Sequence, residues 1–296
     1  MAGEALFGEG IIARFAFVTL IIIGFYVFLR IGLVILGLIY MEESSPHLFD
    51  GMVKTSTYRL IKQDPTETGS IPVMRSDNES KGGEFTWSVW LYMDEAQSVS
   101  AIPYHIFNKG SKEPALTTDN YNYHYCASNG PGLYLTVTQN SDNKTDDHKL
   151  QVLMDTFAAG SQGIAGRASG DTGMIEIDNI PLKKWVNIII RAENKTVDVF
   201  INGVLARRTI FAGVVRQNYG DVHVATELGD LDSSSTTKGI SNGFLSNLWY
   251  YDKSIGTMEI LRIVNNGPNT TFLGDDNIKA VPSYLSTSWY TSSMIS

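Results

Sequence analysis

The sequence predicts an all-β protein, an antiparallel sandwich preceded by one N-terminal transmembrane helix. Three observations predict it. Residues 11–41 are almost uncharged and apolar, with Arg14 and Arg30 as the only exceptions. Short segments that alternate apolar and polar side chains fill the chain from Phe85 onward, as half-buried strands require. Gly, Asn or Asp closes most of those segments, and "FINGVL" carries the Asn-Gly pair that favours a two-residue hairpin, because both residues tolerate positive φ.

In chain order, residues 1–10 form a short leading segment. The apolar run that follows exceeds a signal-peptide core, and "MEESSP" after it offers no small-residue cleavage site. It reads as a membrane anchor. A span from about Ile12 to Leu29 lets Arg14 and Arg30 reach opposite interfaces, with Phe15 and Leu29 just inside. A span centred on Arg30 would place a cation in hydrocarbon at roughly 2.5–3.5 kcal/mol. The first placement leaves Ile31 to Met41, including Leu36, as an apolar helical extension that needs cover from a protein partner. The other placement is one long tilted span that buries the whole run. Charges of both signs flank the run, so the positive-inside rule has little to count.

Residues 42–84 contain "SSPH", "QDPTETGSIP" and "SDNESKGGE", and read as an extended stalk. "FTWSVWLYM" (85–93) is the first strand, with Phe85, Trp87, Val89 and Leu91 on its core face. "YHIFNKG", "GLYLTVTQ" and "KLQVLMDTF" follow. "KWVNIIIRAENKTVDVFINGVLARRTI" gives three strands and two turns, with Trp185 and Ile201 expected between the sheets. "DVHVATEL" and "GFLSNLWYYDKSI" complete about ten strands, with one short helix near Thr257 to Val264. The tail, 269–296, carries Phe272, Tyr284, Trp289 and Tyr290 without helical or strand period. An extended aromatic arm of this kind suits strapping a neighbouring subunit.

Composition narrows the function classes. The formal net charge is −8 and no extended run of Lys or Arg occurs, which argues against nucleic acid as a partner. Cys126 is the single cysteine, so no intrachain disulfide forms, and a reducing compartment is favoured. Sequons stand at Asn78, Asn143, Asn194 and Asn269, a number that chance supplies in an Asn- and Thr-rich chain.

Taken in order and spacing, "FTWSVWLYM", "HIFNKG", "PGLYL", "KWVNIIIRAENKTVDVFINGVL" and "GFLSNLWYYDKSIGTMEILRIVNNGP" resemble concanavalin A-like (laminin-G-type) jelly rolls over residues 85–268. "QNYGDVHV" and "LSNLWYYDKSIGTMEI" look most like the versions found in membrane-anchored minor capsid and virion proteins of large icosahedral DNA viruses. That resemblance implies a single-pass virion protein at the interface of internal membrane and capsid, passing through a host intracellular membrane during assembly. Its partners would be the membrane and capsid or other virion proteins. The alternative is a membrane-tethered glycan-binding or adhesion protein.

Some relatives of this fold are glycoside hydrolases with a Glu-x-Asp-x-x-Glu strand. Here Glu176 and Asp178 are followed by Pro181 where the second Glu belongs, so no catalytic residue and no cofactor is expected. The five histidines show no metal-ligand spacing. Laminin-G domains bind Ca²⁺ through Asp-rich loops, and the counterparts here are Asp142, Asp146 and Asp147, with Asp230 and Asp232. Hairpin tips have the same composition, so no metal is assigned. Tyr121, Tyr123 and Tyr125 alternate in "DNYNYHYC" and are the glycan-binding candidates; packing on the sheet or a subunit contact is the preferred explanation of the three rings.

Overall fold

The computed structural model describes residues 10–40, 45–76, 78–79, 82–113, 125–139, 146–157, 173–226, 228–229, 236–237 and 239–274. The chain divides into two units, one containing the N-terminal helix and one spanning 44–280. The helix, α1, runs unbroken over Ile11–Tyr40. Within it, Arg14–Leu36 is long and apolar enough to cross a membrane, and none of that window is buried. Phe15 and Phe28 are 71% and 79% exposed, and Leu29, Ile31 and Leu36 are also open. Arg30 lies inside the window. Its Nε donates to the Tyr26 hydroxyl at 3.1 Å, one turn back, where helical side chains naturally lean.

The second unit is built from β1 (His47–Lys54), β2 (Arg59–Ile61), β3 (Gly82–Met93), β4 (Ser100–Gly110), β5 (Gly132–Gln139), β6 (Asp146–Leu153), β7 (Met174–Ile177), β8 (Trp185–Glu193), β9 (Thr196–Ile201), β10 (Val204–Ile210), β11 (Asp221–Val224) and β12 (Gly243–Tyr251). One sheet has seven strands in the order β1-β12-β3-β8-β9-β10, with Asn78–Glu79 paired to β3. The other has six, ordered β2-β11-β4-β5-β6-β7. Each ladder in these two sheets is antiparallel, and the result is a jelly-roll sandwich. Its core takes Phe85, Trp87, Val89 and Leu91 from one sheet, and Phe107, Leu133, Leu135 and Val152 from the other.

Two expectations are corrected. The stalk is not one: β1 and β2 lie in the opposite sheets, and Leu48, Phe49, Val53, Ile61 and Ile71 belong to the core. Turn-rich composition on both sides, "SSPH" before and "QDPTETGSIP" after, hid two strands that carry only a few apolar residues each. Trp185 is the other. It pairs with Tyr92, whereas Val186 pairs with Leu91. Side chains alternate, so Val186, Ile188 and Ile190 take the core face and Trp185 the outer one. Its ring rests near Tyr92, with centroids 5.4 Å apart. Ile201 does face inward, opposite Ile188, but is only partly buried at the sheet's end.

Asn202 and Gly203 both have positive φ, 50° and 80°, as the two-residue hairpin requires. The turn lies against α2 (Thr257–Asn266), where a Cβ on Gly203 would come within 3.3 Å of Val264. Ile260 of α2 packs with Ile189, Phe200, Tyr251 and Ile255 on the outer face of the seven-stranded sheet. The start of the tail also folds back. The Met52 amide donates to the Thr271 carbonyl at 2.7 Å and the Leu273 amide to the Met52 carbonyl at 2.9 Å. Leu273 packs on the core, and Gly51 (φ 135°) makes room for it.

Candidate functional site

A cleft of about 500 Å³ opens where the two sheets part. Alternation along β3 sends Phe85 and Trp87 to its floor, and Tyr250 of β12 stands beside them. The Trp87 ring sits between Phe107 (5.6 Å between centroids) and Tyr250 (5.2 Å), so its plane is fixed. Its indole Nε1 is buried and has no hydrogen-bond acceptor among the described residues. The Tyr250 hydroxyl donates to the Met74 carbonyl at 2.8 Å, and burial raises its pKa.

The six-stranded sheet contributes Lys109 from β4, only 3% exposed. Its ammonium donates to the carbonyls of Asn218 (3.1 Å) and Gly220. Burial brings its pKa down to about 8, against the opposing pull of Asp221. The neighbouring loops are held firmly. The Asn218 amide donates to the Lys109 carbonyl at 2.9 Å, and its Oδ1 accepts from the Gly220 amide at 3.1 Å. Gln217 accepts from the Ser76 amide at 3.1 Å and donates to Tyr250 at 3.0 Å. Arg75, Phe157 and Tyr219 form part of the margin, Tyr219 being 85% exposed.

Sequence reasoning placed Trp87 in the core and did not identify this cleft. The one signal was Lys109, a cation two residues after the core-forming Phe107 and so on the same face of the "YHIFNKG" strand.

The residues singled out from sequence do not converge. Tyr125 is half-buried; its hydroxyl donates to Gln151 Oε1 at 2.8 Å and its ring meets Tyr134 edge-on at 5.1 Å. It packs on the sheet. Tyr121 and Tyr123 lie outside the described residues, as do Asp142, Asp230, Asp232, Met41, Tyr284, Trp289 and Tyr290. The side chain of Asp146 does too, while Asp147 pairs with Lys149 at 3.6 Å. Glu176 is exposed and accepts from Gln151 at 2.8 Å; Asp178 pairs with Lys149 at 3.1 Å. Among the described residues no group of three or more His, Cys, Asp or Glu could hold a metal ion. Phe272 lies under Lys54, whose Nζ is 5.7 Å from the ring centroid. Its segment straps this chain's own β1. Cys126 is buried, and burial pushes its thiol up to about 12.

No family model matches the chain, and no curated protein matches it. Among solved structures it is similar to the receptor-binding domain of botulinum neurotoxin mosaic serotype C/D, at 10% identity and a TM-score of 0.38, over 62% of this chain and 37% of that one. It is also similar to the botulinum neurotoxin serotype D ligand-binding domain in complex with N-acetylneuraminic acid, at 10% identity and a TM-score of 0.39, over 72% of this chain and 47% of that one. The chain thus spans less than half the length of either.

Proposed function

We propose that the chain is a non-enzymatic structural protein that ties a membrane to a protein layer beside it. A membrane-anchored minor capsid component, joining an internal virion membrane to its shell, is the specific form. The observation that carries this reading is α1, whose apolar side chains stay open past Arg30 to Leu36. Large side chains left in water would each cost on the order of 1.5–3 kcal/mol relative to burial. Lipid covers the first part, and a protein partner covers the rest. Glu176 and Asp178, each engaged by a neighbour and without a second Glu at Pro181, fit a protein that performs no hydrolysis.

The test is fractionation of intact particles. Stripping the membrane with detergent should leave the chain with capsid protein. Release together with the lipid would sink the structural reading. A second reading, a membrane-tethered glycan-binding protein, is favoured by Phe157 and Tyr219, exposed rings at the margin of the cleft of the kind on which sugars stack. Binding of the chain on a glycan array, together with release alongside the lipid, would put that reading first.

A further inference from the structure

We propose that the free edge of β10 is a docking site for an extended acidic segment of a partner protein, which joins the sheet as a further strand. The site stands on the geometry of the sheet, and holds whether the chain ties a membrane to a shell or displays a receptor.

The backbone of β10 calls for a strand as occupant. β10 ends the seven-stranded sheet, and six of its seven residues are exposed. Just past its end, the Phe211 amide donates to the Lys195 carbonyl at 2.8 Å. Bonding groups alternate along an antiparallel ladder, so Thr209 and Arg207 turn theirs toward β9. Those of Arg208 and Ile210 point the other way, and no described residue pairs with them there. A row of alternating donors and acceptors is met by another strand, whereas a free anion supplies acceptors alone.

The side chains select the charge of that strand. Arg208 lies on the outer face, where Asp198 accepts from its Nε at 2.6 Å and from Arg191 at 2.6 Å. Arg207 pairs with the core residue Val199 and so takes the inner face. It is exposed all the same, and has no acidic partner among the described residues. In β7, the edge of the other sheet, Ile175 and Ile177 take the core side, so Glu176 points away. Val204 and Ile210, 70% and 72% exposed, add apolar surface on either side of the free cation. A matching strand alternates carboxylates, on the face of Arg207, with apolar side chains, on the face of Ile210.

A second copy of the chain fits less well. Antiparallel pairing of the whole of β10 with itself sets Arg207 opposite Arg207, and like charges directly opposite are destabilising. The same charge that discourages self-pairing attracts an acidic strand.

The experiment uses the full chain in nanodiscs of neutral lipid. Fluorescence anisotropy follows a labelled peptide, Thr-Val-Glu-Val-Glu-Val-Glu-Thr, and its counterpart with Lys at each Glu. The acidic peptide should bind at least ten-fold more tightly. N-methylation of its Val residues, which fall opposite Arg208 and Ile210, should abolish binding; N-methylation of its Glu residues should not. Arg207→Glu should reverse the preference, so that the Lys peptide binds more tightly. Ile210→Pro removes an edge N–H without touching the β9 ladder, and should weaken the acidic peptide ten-fold or more. If that variant fails to fold, the methylated peptides put the same question to the native chain. Equal binding of the two peptides, indifference to methylation at Val, or no binding would each overturn the proposal. Dimerisation of the chain that Ile210→Pro abolishes would give the edge to a second copy and overturn it as well.

Discussion

His105 shows how a single residue can tie stability to pH. It is fully buried, and the Thr226 amide donates to its Nδ1 at 3.0 Å. An N–H donor there obliges Nδ1 to be the acceptor, so Nε2 carries the proton and donates to Asn108 Oδ1 at 3.0 Å. Burial lowers its pKa to about 3. In the unfolded chain it titrates near 6.5, so between those values the unfolded state binds more protons. Its contribution is therefore intact above pH 6.5 and is lost progressively as pH falls toward 3. His47 and His223, also lowered by burial, act in the same sense. Urea unfolding between pH 7 and pH 4 should show falling stability, and His105→Gln should flatten the slope. An unchanged slope would mean that this ring is not held neutral. A second contrast concerns Ile188 and Ile201, which face each other across β8 and β9. Ile188 is fully buried, so Ile188→Ala should cost about 2–5 kcal/mol. Ile201 sits at the rim, and its truncation should cost clearly less in the same assay.

Among elements, the β9–β10 hairpin was the most legible and is also the most constrained. Asn202-Gly203 announces a tight turn in any alternating context, and α2 then closes over it. Gly203→Ala forces a Cβ into the left-handed region and against Val264, and should destabilise the sandwich by about 1–2 kcal/mol in thermal or urea unfolding. Restored stability in a Gly203→Ala, Val264→Ala pair would assign the cost to the contact rather than to φ. The strands of β3, β5 and β8 were equally readable, because each carries a dense apolar run followed in the sequence by turn-forming residues. The face of Trp185 was not readable. A Trp at a strand's start is equally at home against the core or against a cross-strand Tyr, and register with β3 decides which. Strands β1 and β2 escaped because their cores, Leu48, Phe49, Val53 and Ile61, are separated by turn residues, and long-range pairing with β12 and β11 supplies what local pattern lacks. The cleft escaped for the same reason. Lys109 and Trp87 belong to different sheets, and nothing in the spacing of their strands announces that the sheets part beside them.

At the scale of the whole molecule, the decisive quantity is how much of α1 the hydrocarbon covers. Ile12 to Leu29 rises about 27 Å at 1.5 Å per residue, close to the roughly 30 Å of a bilayer core. The longer window, Arg14–Leu36, also fits if tilted, but it takes Arg30 inside, with Tyr26 as its partner. The two placements differ in the fate of Leu33 and Leu36. If the span ends at Leu29 they stand outside lipid, as the structural reading requires; if it is tilted they are covered. Single Cys replacements at Phe25, Leu33 and Leu36 can be read with a membrane-impermeant maleimide in sealed vesicles of either orientation. The native background is low, because Cys126 is buried and its thiol is pushed up to about 12, leaving almost no thiolate at neutral pH. Leu33→Cys and Leu36→Cys should label in vesicles holding the chain alone, and Phe25→Cys should not. The same two positions should become protected in the assembled particle, because the predicted cover there is protein rather than lipid. Silence at both positions in vesicles without a partner would place them in hydrocarbon. In that case the extension offers nothing to dock, and the tethered glycan-binding reading would stand in place of the structural one.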